Sequence, residues 1–253
     1  KNTKAIIATH IYNFPLRIDT LRKICKKKKI ILIEDAAEVL GQKINNKKCG
    51  SFGDISTFSF YANKQITTGE GGMITTDNKK LYDKMSSLKN LSFGKVDRFN
   101  HDDIGWNYRM TNLQASLGLS QLKRINKIVS LRHKVGLRYY NNLKNNKNIF
   151  IPPPKQKSSK NIYWVIAILI TNTKLKLDAK KVISLLKKQG IGARPFFWPM
   201  HKQTILNKLR LIKSKNFPNS EFISKYGLYV PSSLSLKNSE IDYISKKINS
   251  IIA

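Results

Sequence analysis

Acidic residues are scarce in this chain: 15 Asp and Glu stand against 47 Lys and Arg, a formal charge of +32. Cysteine is scarcer still. Cys25 and Cys49 cannot build a disulfide framework, and no four-ligand zinc pattern can be drawn from them and the four scattered histidines. No apolar run approaches the ~20 residues a membrane helix needs, which excludes a transmembrane protein. With so little cysteine, a reducing cytoplasm is the expected location. Arginine is also thin, at 9 against 38 lysines. An excess of +32 would ordinarily suggest nucleic acid, but Arg is the preferred bidentate reader of phosphate and guanine. The positive charge runs diffusely from Lys1 to Lys247, and the 31 Ile and 23 Asn that accompany it are what an A/T-rich coding sequence over-supplies. A nucleic-acid partner is therefore not expected. The densest run, Lys26 to Lys29, reads as a solvated helix end, where cations suit the macrodipole. Absent too are GxGxxG, GxxxxGK[ST] and the G-x-S-x-G nucleophile elbow, so the usual dinucleotide, P-loop and hydrolase fingerprints do not apply.

What is present is a globular composition, 41% hydrophobic over 253 residues, enough for one large domain or two modest ones. The sequence enters at once on an apolar strand, Ala5 to His10, as if partway through a domain. A helix with Asp19 as N-cap follows, then the continuous apolar run Ile30 to Ile33 ending in Glu34-Asp35. Strand, helix, strand predicts a parallel βαβ unit, and an unbroken apolar run predicts a strand covered on both faces. Further strands are expected at Ile55 to Phe60 and Met73 to Thr76, with a helix from Asn78 to about Lys89. A long helical pattern runs from Thr111 to about Leu143 and stops at Pro152-Pro153-Pro154. Beyond lies a smaller α/β unit: a buried strand at Tyr163 to Ile170, a helix from Asp178 to Lys188 closed by Gly190, a strand at Leu228 to Val230, and a helix from Ser239.

Ligands of open parallel sheets bind at the carboxyl ends of the strands. Asp35 and Ser59 sit at two such ends, and Lys64 follows Ser59 by five residues, leading into Thr67-Thr68-Gly69-Glu70-Gly71-Gly72. One lysine among 38 is a surface lysine by default. Asp35 alone reads equally well as a cap, and Ser59 alone as a satisfied strand-end hydroxyl. Together, a lysine for an imine, an acid for a pyridinium nitrogen and a hydroxyl for a phosphate spell pyridoxal phosphate.

The successive motifs Ile33-Glu34-Asp35-Ala36-Ala37-Glu38, Gly50-Ser51-Phe52-Gly53-Asp54, Phe58-Ser59-Phe60-Tyr61-Ala62-Asn63-Lys64, Gly69-Glu70-Gly71-Gly72 and Asn107-Tyr108-Arg109-Met110 resemble, in order and spacing, those of the DegT/StrS-type sugar-nucleotide aminotransferases. The resemblance implies an α/β, fold-type I pyridoxal-phosphate fold. Residues 1–125 would be the C-terminal part of the large cofactor domain, with its mostly parallel sheet, and 126–253 a small C-terminal domain. It further implies that Lys64 forms the Schiff base, Asp35 pairs with the pyridine nitrogen, Ala37 packs on the ring and Ser59 bonds the phosphate. Asn107 would reach that phosphate from a second subunit, making a homodimer with a composite site. Glu38 matches a position near the cofactor 3-hydroxyl that is often Gln in relatives. Arg194, Trp198 and His201 resemble the segment on the substrate side, although a core aromatic and a satisfied histidine read as well there. Family members that dehydrate carry histidine in place of Lys64, so the lysine favours transamination.

The stretches Asn63 to Thr76, Tyr108 to Asn112 and Arg194 to His201 are most similar to the branch that makes GDP-perosamine, with glutamate as donor, for surface polysaccharide such as O-antigen. A dTDP- or UDP-linked keto sugar is the alternative acceptor, and a non-catalytic basic binding protein on the same fold a further one. Relatives carry a segment ahead of the first strand with a phosphate-cradling loop and a stacking aromatic. Without it, the 253-residue piece is expected to bind pyridoxal phosphate poorly.

Overall fold

The computed structural model describes residues 2–156, 158–212 and 216–253; Lys1 lies outside them. Two compact units are present, one spanning Lys1–Val129 with Lys157–Lys160, the other Ser130–Gln156 with Asn161–Ala253.

The first unit is built on β1 (Ala5–Thr9), β2 (Ile31–Asp35), β3 (Ile55–Ser59) and β4 (Gly72–Thr75), ordered β1-β2-β3-β4. β1, β2 and β3 are parallel, and β4 returns antiparallel to β3. Helix α1 (Ile18–Lys28) makes the crossover between β1 and β2. Its N-cap is Arg17, not Asp19. Leu21 N–H already reaches Arg17 O, so Asp19 falls in the first turn, where its charge faces the helix's positive end. Lys26, Lys27 and Lys28 lie exposed in the last turn, as expected, and Lys29 ends the helix at φ 55°.

One expectation fails on this sheet. Ala8, Leu32, Glu34 and Ser56 project to one face and are buried under α1 and the loops that follow β2. The alternate residues project to the other face, where Ile7 is 69% exposed, Ile31 48% and Ile74 52%. The unbroken apolar run of β2 is therefore covered on one side in this chain, because no element among the described residues lies over the second face. Asp35, Thr57 and Ser59 belong to that open face by register, Asp35 pairing with Thr57 and Ser59 with Gly72.

Asn78 caps α2 (Lys79–Lys89), accepting from Leu81 N–H. The long pattern from Thr111 resolves into two helices, α3 (Asn112–Leu122) and α4 (Ile125–Leu143). Thr111 and Gln114 form a capping box at the start of α3.

The second unit is closed. Its sheet, β5 (Ile149–Phe150), β6 (Ile166–Ile170), β7 (Arg194–Pro195) and β8 (Gly227–Val230), is antiparallel throughout, ordered β7-β8-β6-β5. Helices α5 (Ala179–Lys188), α6 (Thr204–Lys208), α7 (Pro218–Tyr226) and α8 (Asn238–Ile251) complete it. Ile166, Ile168, Ile170, Leu228, Val182, Leu186 and Ile248 form its core. Asp178 caps α5 and Gly190, at φ 73°, closes it, as expected. The strand expected from Tyr163 begins only at Ile166. Tyr163 has φ 48°, and its N–H donates to Asn161 Oδ1. Its ring lies so close to α4 that a Cβ on Gly136 would meet it at 2.2 Å.

Candidate functional site

The chain leaves β3 at Ser59 and returns at Gly72, and the loop between is closed at its neck. Phe60 N–H donates to Gly71 O and Thr68 N–H to Phe60 O, both at 2.9 Å. From α3, Gln121 clamps both backbone groups of Thr67, accepting from its N–H at 3.1 Å and donating to its carbonyl at 2.7 Å. Lys64 lies within this loop, its N–H bonded to Tyr61 O. Burial holds its amine below the usual lysine range, while the charges of Glu38 and Asp35 pull it back upward. Asp35 ends β2 and accepts from Ala37 N–H at 3.1 Å. Glu38 is buried in the same turn, its Oε2 accepting from Tyr12 N–H at 2.9 Å. Burial raises the Glu38 carboxyl to about 7, the Tyr12 hydrogen bond and Lys64 opposing the rise and Asp35 adding to it. Lys64, Asp35, Ala37 and Glu38, singled out in the sequence, are thus brought together.

Ser59 lies on the same open face of the sheet as Asp35. Its Oγ accepts from Tyr61 N–H at 3.3 Å, which leaves the hydroxyl hydrogen free to donate to an anion. Asn107 is held by other contacts: it bridges Asn90 and accepts from Arg109 Nε at 2.9 Å, on an exposed segment running past the end of α2. A groove of about 610 Å³ opens beside β4, lined by Thr57, Gly71, Met73, Tyr108 and Met110 among others. Neither Asp35 nor Lys64 lines it.

Arg194, Trp198 and His201 belong to the second unit. Arg194 is exposed on β7. Trp198 is 58% exposed and so is no core aromatic; its indole N–H donates to Lys202 O. His201 Nε2 bonds Glu221 Oε1 at 2.9 Å, a satisfied histidine.

Sequence reasoning missed a second polar centre, on the buried face. Glu34 is fully buried and takes five hydrogen bonds, from His10 Nε2, the N–H groups of Gly50, Phe52 and Gly53, and Ser56 Oγ. Burial would push its carboxyl up, but the His10 bond and the three backbone donors outweigh that and hold it below the ordinary value. Because Leu16 N–H donates to His10 Nδ1, the proton of the neutral ring sits on Nε2 and points at Glu34. Cys49 completes a buried cluster with these two, but burial, then the Glu34 charge, push its thiol up to about 12. The signal was legible: a carboxylate inside an apolar strand, followed by the loop Gly50-Ser51-Phe52-Gly53. Gly50, at φ 87°, turns its N–H onto Glu34.

The fold has clear counterparts among solved structures. The structure of Helicobacter pylori PseC, an aminotransferase involved in pseudoaminic acid biosynthesis, matches 99% of this chain and 67% of its own, with a TM-score of 0.91 and 27% identity. The chain therefore has the fold of the type I pyridoxal-phosphate enzymes. By sequence it is 36% identical over 250 residues to a GDP-perosamine synthase of Escherichia coli O157:H7, covering 98% of this chain and 65% of the relative. It is 37% identical over 235 residues to one of Vibrio cholerae, covering 92% and 62%. Residues 1–249 match the DegT/DnrJ/EryC1/StrS aminotransferase family, and the chain belongs to that family. It spans slightly less than two thirds of the length of these two synthases. Among the described residues no helix is long and apolar enough to cross a membrane.

Proposed function

We propose that the whole protein is a pyridoxal-phosphate-dependent aminotransferase. It moves an amino group from glutamate to a nucleotide-linked 4-keto-6-deoxyhexose, GDP-4-keto-6-deoxymannose, to give GDP-perosamine for surface polysaccharide in the cytoplasm. The observation that carries the reading is the Lys64 amine, desolvated beside Asp35 and Glu38 at the carboxyl ends of parallel strands. Identity above one third to two GDP-perosamine synthases supports the choice of acceptor.

The donor set fits the cofactor: an amine of lowered basicity, a carboxylate two residues from a small apolar side chain, and a hydroxyl with a free hydrogen. Bound there, pyridoxal phosphate supplies a carbonyl that exchanges amines and a ring that withdraws electrons from the reacting carbon. Lys64 Nζ would hold the cofactor through its carbonyl, and would be the base that takes and returns the proton amine exchange moves. Asp35 would pair with the ring nitrogen. Ser59 donates to the phosphate, Ala37 offers the ring an apolar contact, and Asn107 serves the site of a second subunit, so the active unit is a homodimer. Arg194, Trp198 and His201 serve the sugar-nucleotide side.

Borohydride reduction of the full-length protein with pyridoxal phosphate, followed by peptide mass spectrometry, tests the core of this reading. A pyridoxyl label is expected on Lys64, and prior addition of glutamate should remove it. No label on Lys64 in folded protein would move the family resemblance to a binding role. Turnover with only a dTDP- or UDP-linked keto sugar would overturn the acceptor.

A further inference from the structure

In the second unit one carboxylate grips the segment that carries Trp198. The chain leaves β7 at Pro195, and Phe196 N–H donates to Gly227 O at 2.9 Å, where α7 gives way to β8. Phe197, Trp198 and Met200 follow, all exposed, and the chain then makes a single 3₁₀ turn, Met200–Lys202. There Glu221, in the first turn of α7, meets it. Glu221 Oε1 bonds His201 Nε2 at 2.9 Å, and Oε2 accepts from Lys202 Nζ at 3.1 Å. Each carboxylate oxygen thus holds a different residue of the same turn. His201 first, and then Lys202, hold the Glu221 carboxyl below its ordinary value. The Phe217 ring, just before α7, lies 4.8 Å from that of His201. Trp198 is fixed to the same turn, its indole N–H donating to Lys202 O at 2.9 Å. With its one side-chain donor committed, the exposed indole presents apolar ring surface.

We propose that Glu221 is a positioning residue for the sugar nucleotide: by tying His201 and Lys202 to α7, it sets where Trp198 meets the substrate. It acts through the turn and touches no substrate itself. The inference rests on the reading that Arg194, Trp198 and His201 serve the sugar-nucleotide side. Other side chains brace this stretch from within. Gln203 Nε2 donates to Trp198 O and Asn207 Nδ2 to His201 O, both at 3.3 Å. Bonds of that local kind stiffen the turn without placing it. The Glu221 bonds come from a separate helix, and α7 is itself tied to the sheet where Gly227 opens β8 beside Phe196. The exposed stretch from Phe197 to Met200 is therefore held at both ends of one helix.

Steady-state kinetics of the full-length enzyme with pyridoxal phosphate, glutamate and GDP-4-keto-6-deoxymannose test it. Glu221→Ala removes both tethers. The KM for the sugar nucleotide should rise about fivefold or more, while kcat and the KM for glutamate stay within about twofold, the pattern of a binding interaction lost equally from ground and transition states. Glu221→Gln keeps one acceptor oxygen and should fall between wild type and E221A. A merely structural role would lower the thermal midpoint and the yield of active enzyme, leaving the KM of what remains unmoved. An unchanged KM in folded E221A overturns the proposal, and so does a rise shared equally with glutamate. Should E221A not fold, Lys202→Met decides, since Lys202 is exposed and its loss cuts one tether without touching α7. There the KM should rise about twofold or more, and no rise would overturn the proposal. Trp198→Ala separates the two readings. If it leaves the KM unmoved, the substrate-side reading falls and the role of Glu221 falls with it. If it raises the KM and E221A does not, the role of Glu221 falls alone.

Discussion

Glu34 and Asp35 are neighbours on β2, and the alternation of a strand sends them to opposite faces of the sheet. Ser56 and Ser59 repeat the arrangement on β3. On the face toward α1, Glu34 and Ser56 are buried and bonded to each other, and that face is saturated with hydrogen bonds. On the open face, Asp35 and Ser59 are half-buried, and the hydroxyl hydrogen of Ser59 is uncommitted. The same residue types thus do different work according to parity along the strand. The closed face holds the loop after β2 in place, and the open face is left with polar groups available to a ligand.

The largest effect that would sharpen this contrast comes from the open side. Lys64→Ala should lower turnover by about 10³-fold or more, with the thermal midpoint little changed, since Lys64 sits in a loop outside the buried apolar clusters. A large loss of stability in that variant would break the contrast. On the closed side the expectation is reversed. Glu34→Ala strands three backbone N–H groups, a serine and a histidine ring, and should cost about 3–5 kcal/mol by denaturant titration. A cost under about 1 kcal/mol would mean that water replaces the carboxylate and that the face is not closed.

The two buried glutamates should also separate by pH. Glu34 is held below the ordinary carboxyl value of 4.5, so its contribution is present above 4.5 and is lost as pH falls through its folded-state value. Glu38 is raised to about 7, so its contribution is present below 4.5 and is lost as pH rises from 4.5 through about 7. In stability measured against pH, Glu38→Gln should remove a decline between 4.5 and 7. Glu34→Gln should flatten the fall below 4.5. Superimposable wild-type and E38Q curves across neutral pH would show that Glu38 ionises normally.

Much of this was legible in the residues. The helix starts at Asn78, Thr111 and Asp178 were readable, and in the structure each of the three is the N-cap, its side-chain oxygen accepting from the first turn. Asp35 and Ser59 were readable as strand ends. The break between α3 and α4 was not, because Lys123-Arg124 carries neither Gly nor Pro and the helical period runs through it. There Gln121 is clamped to Thr67, a tertiary tie that no local pattern reports. The Asp19 cap failed because chain geometry before Ile18 set the helix start two residues earlier than the acid. The open face of β2 contradicts its sequence pattern for a different reason: an unbroken apolar run reports what a strand can bury, not what covers it. Glu34 was quoted within a motif but given no task, since its five donors come from residues 16 to 24 positions away.

The finest test uses the two serines of β3, which differ in little but parity. Ser59→Ala removes a donor expected to reach the cofactor phosphate, and a charge-assisted hydrogen bond of that kind is worth about 1.5–3 kcal/mol. Cofactor affinity, followed by absorbance titration of the full-length protein, should therefore weaken about tenfold or more with the unfolding midpoint unmoved. Ser56→Ala should do the opposite. Its bond to Glu34 is long, at 3.3 Å, and Glu34 keeps four other donors, so the cost should be about 1 kcal/mol of stability with cofactor affinity unchanged. If both serines instead shift affinity alike, the sheet transmits strain between its faces, and Glu34 must be counted among the groups that position Asp35.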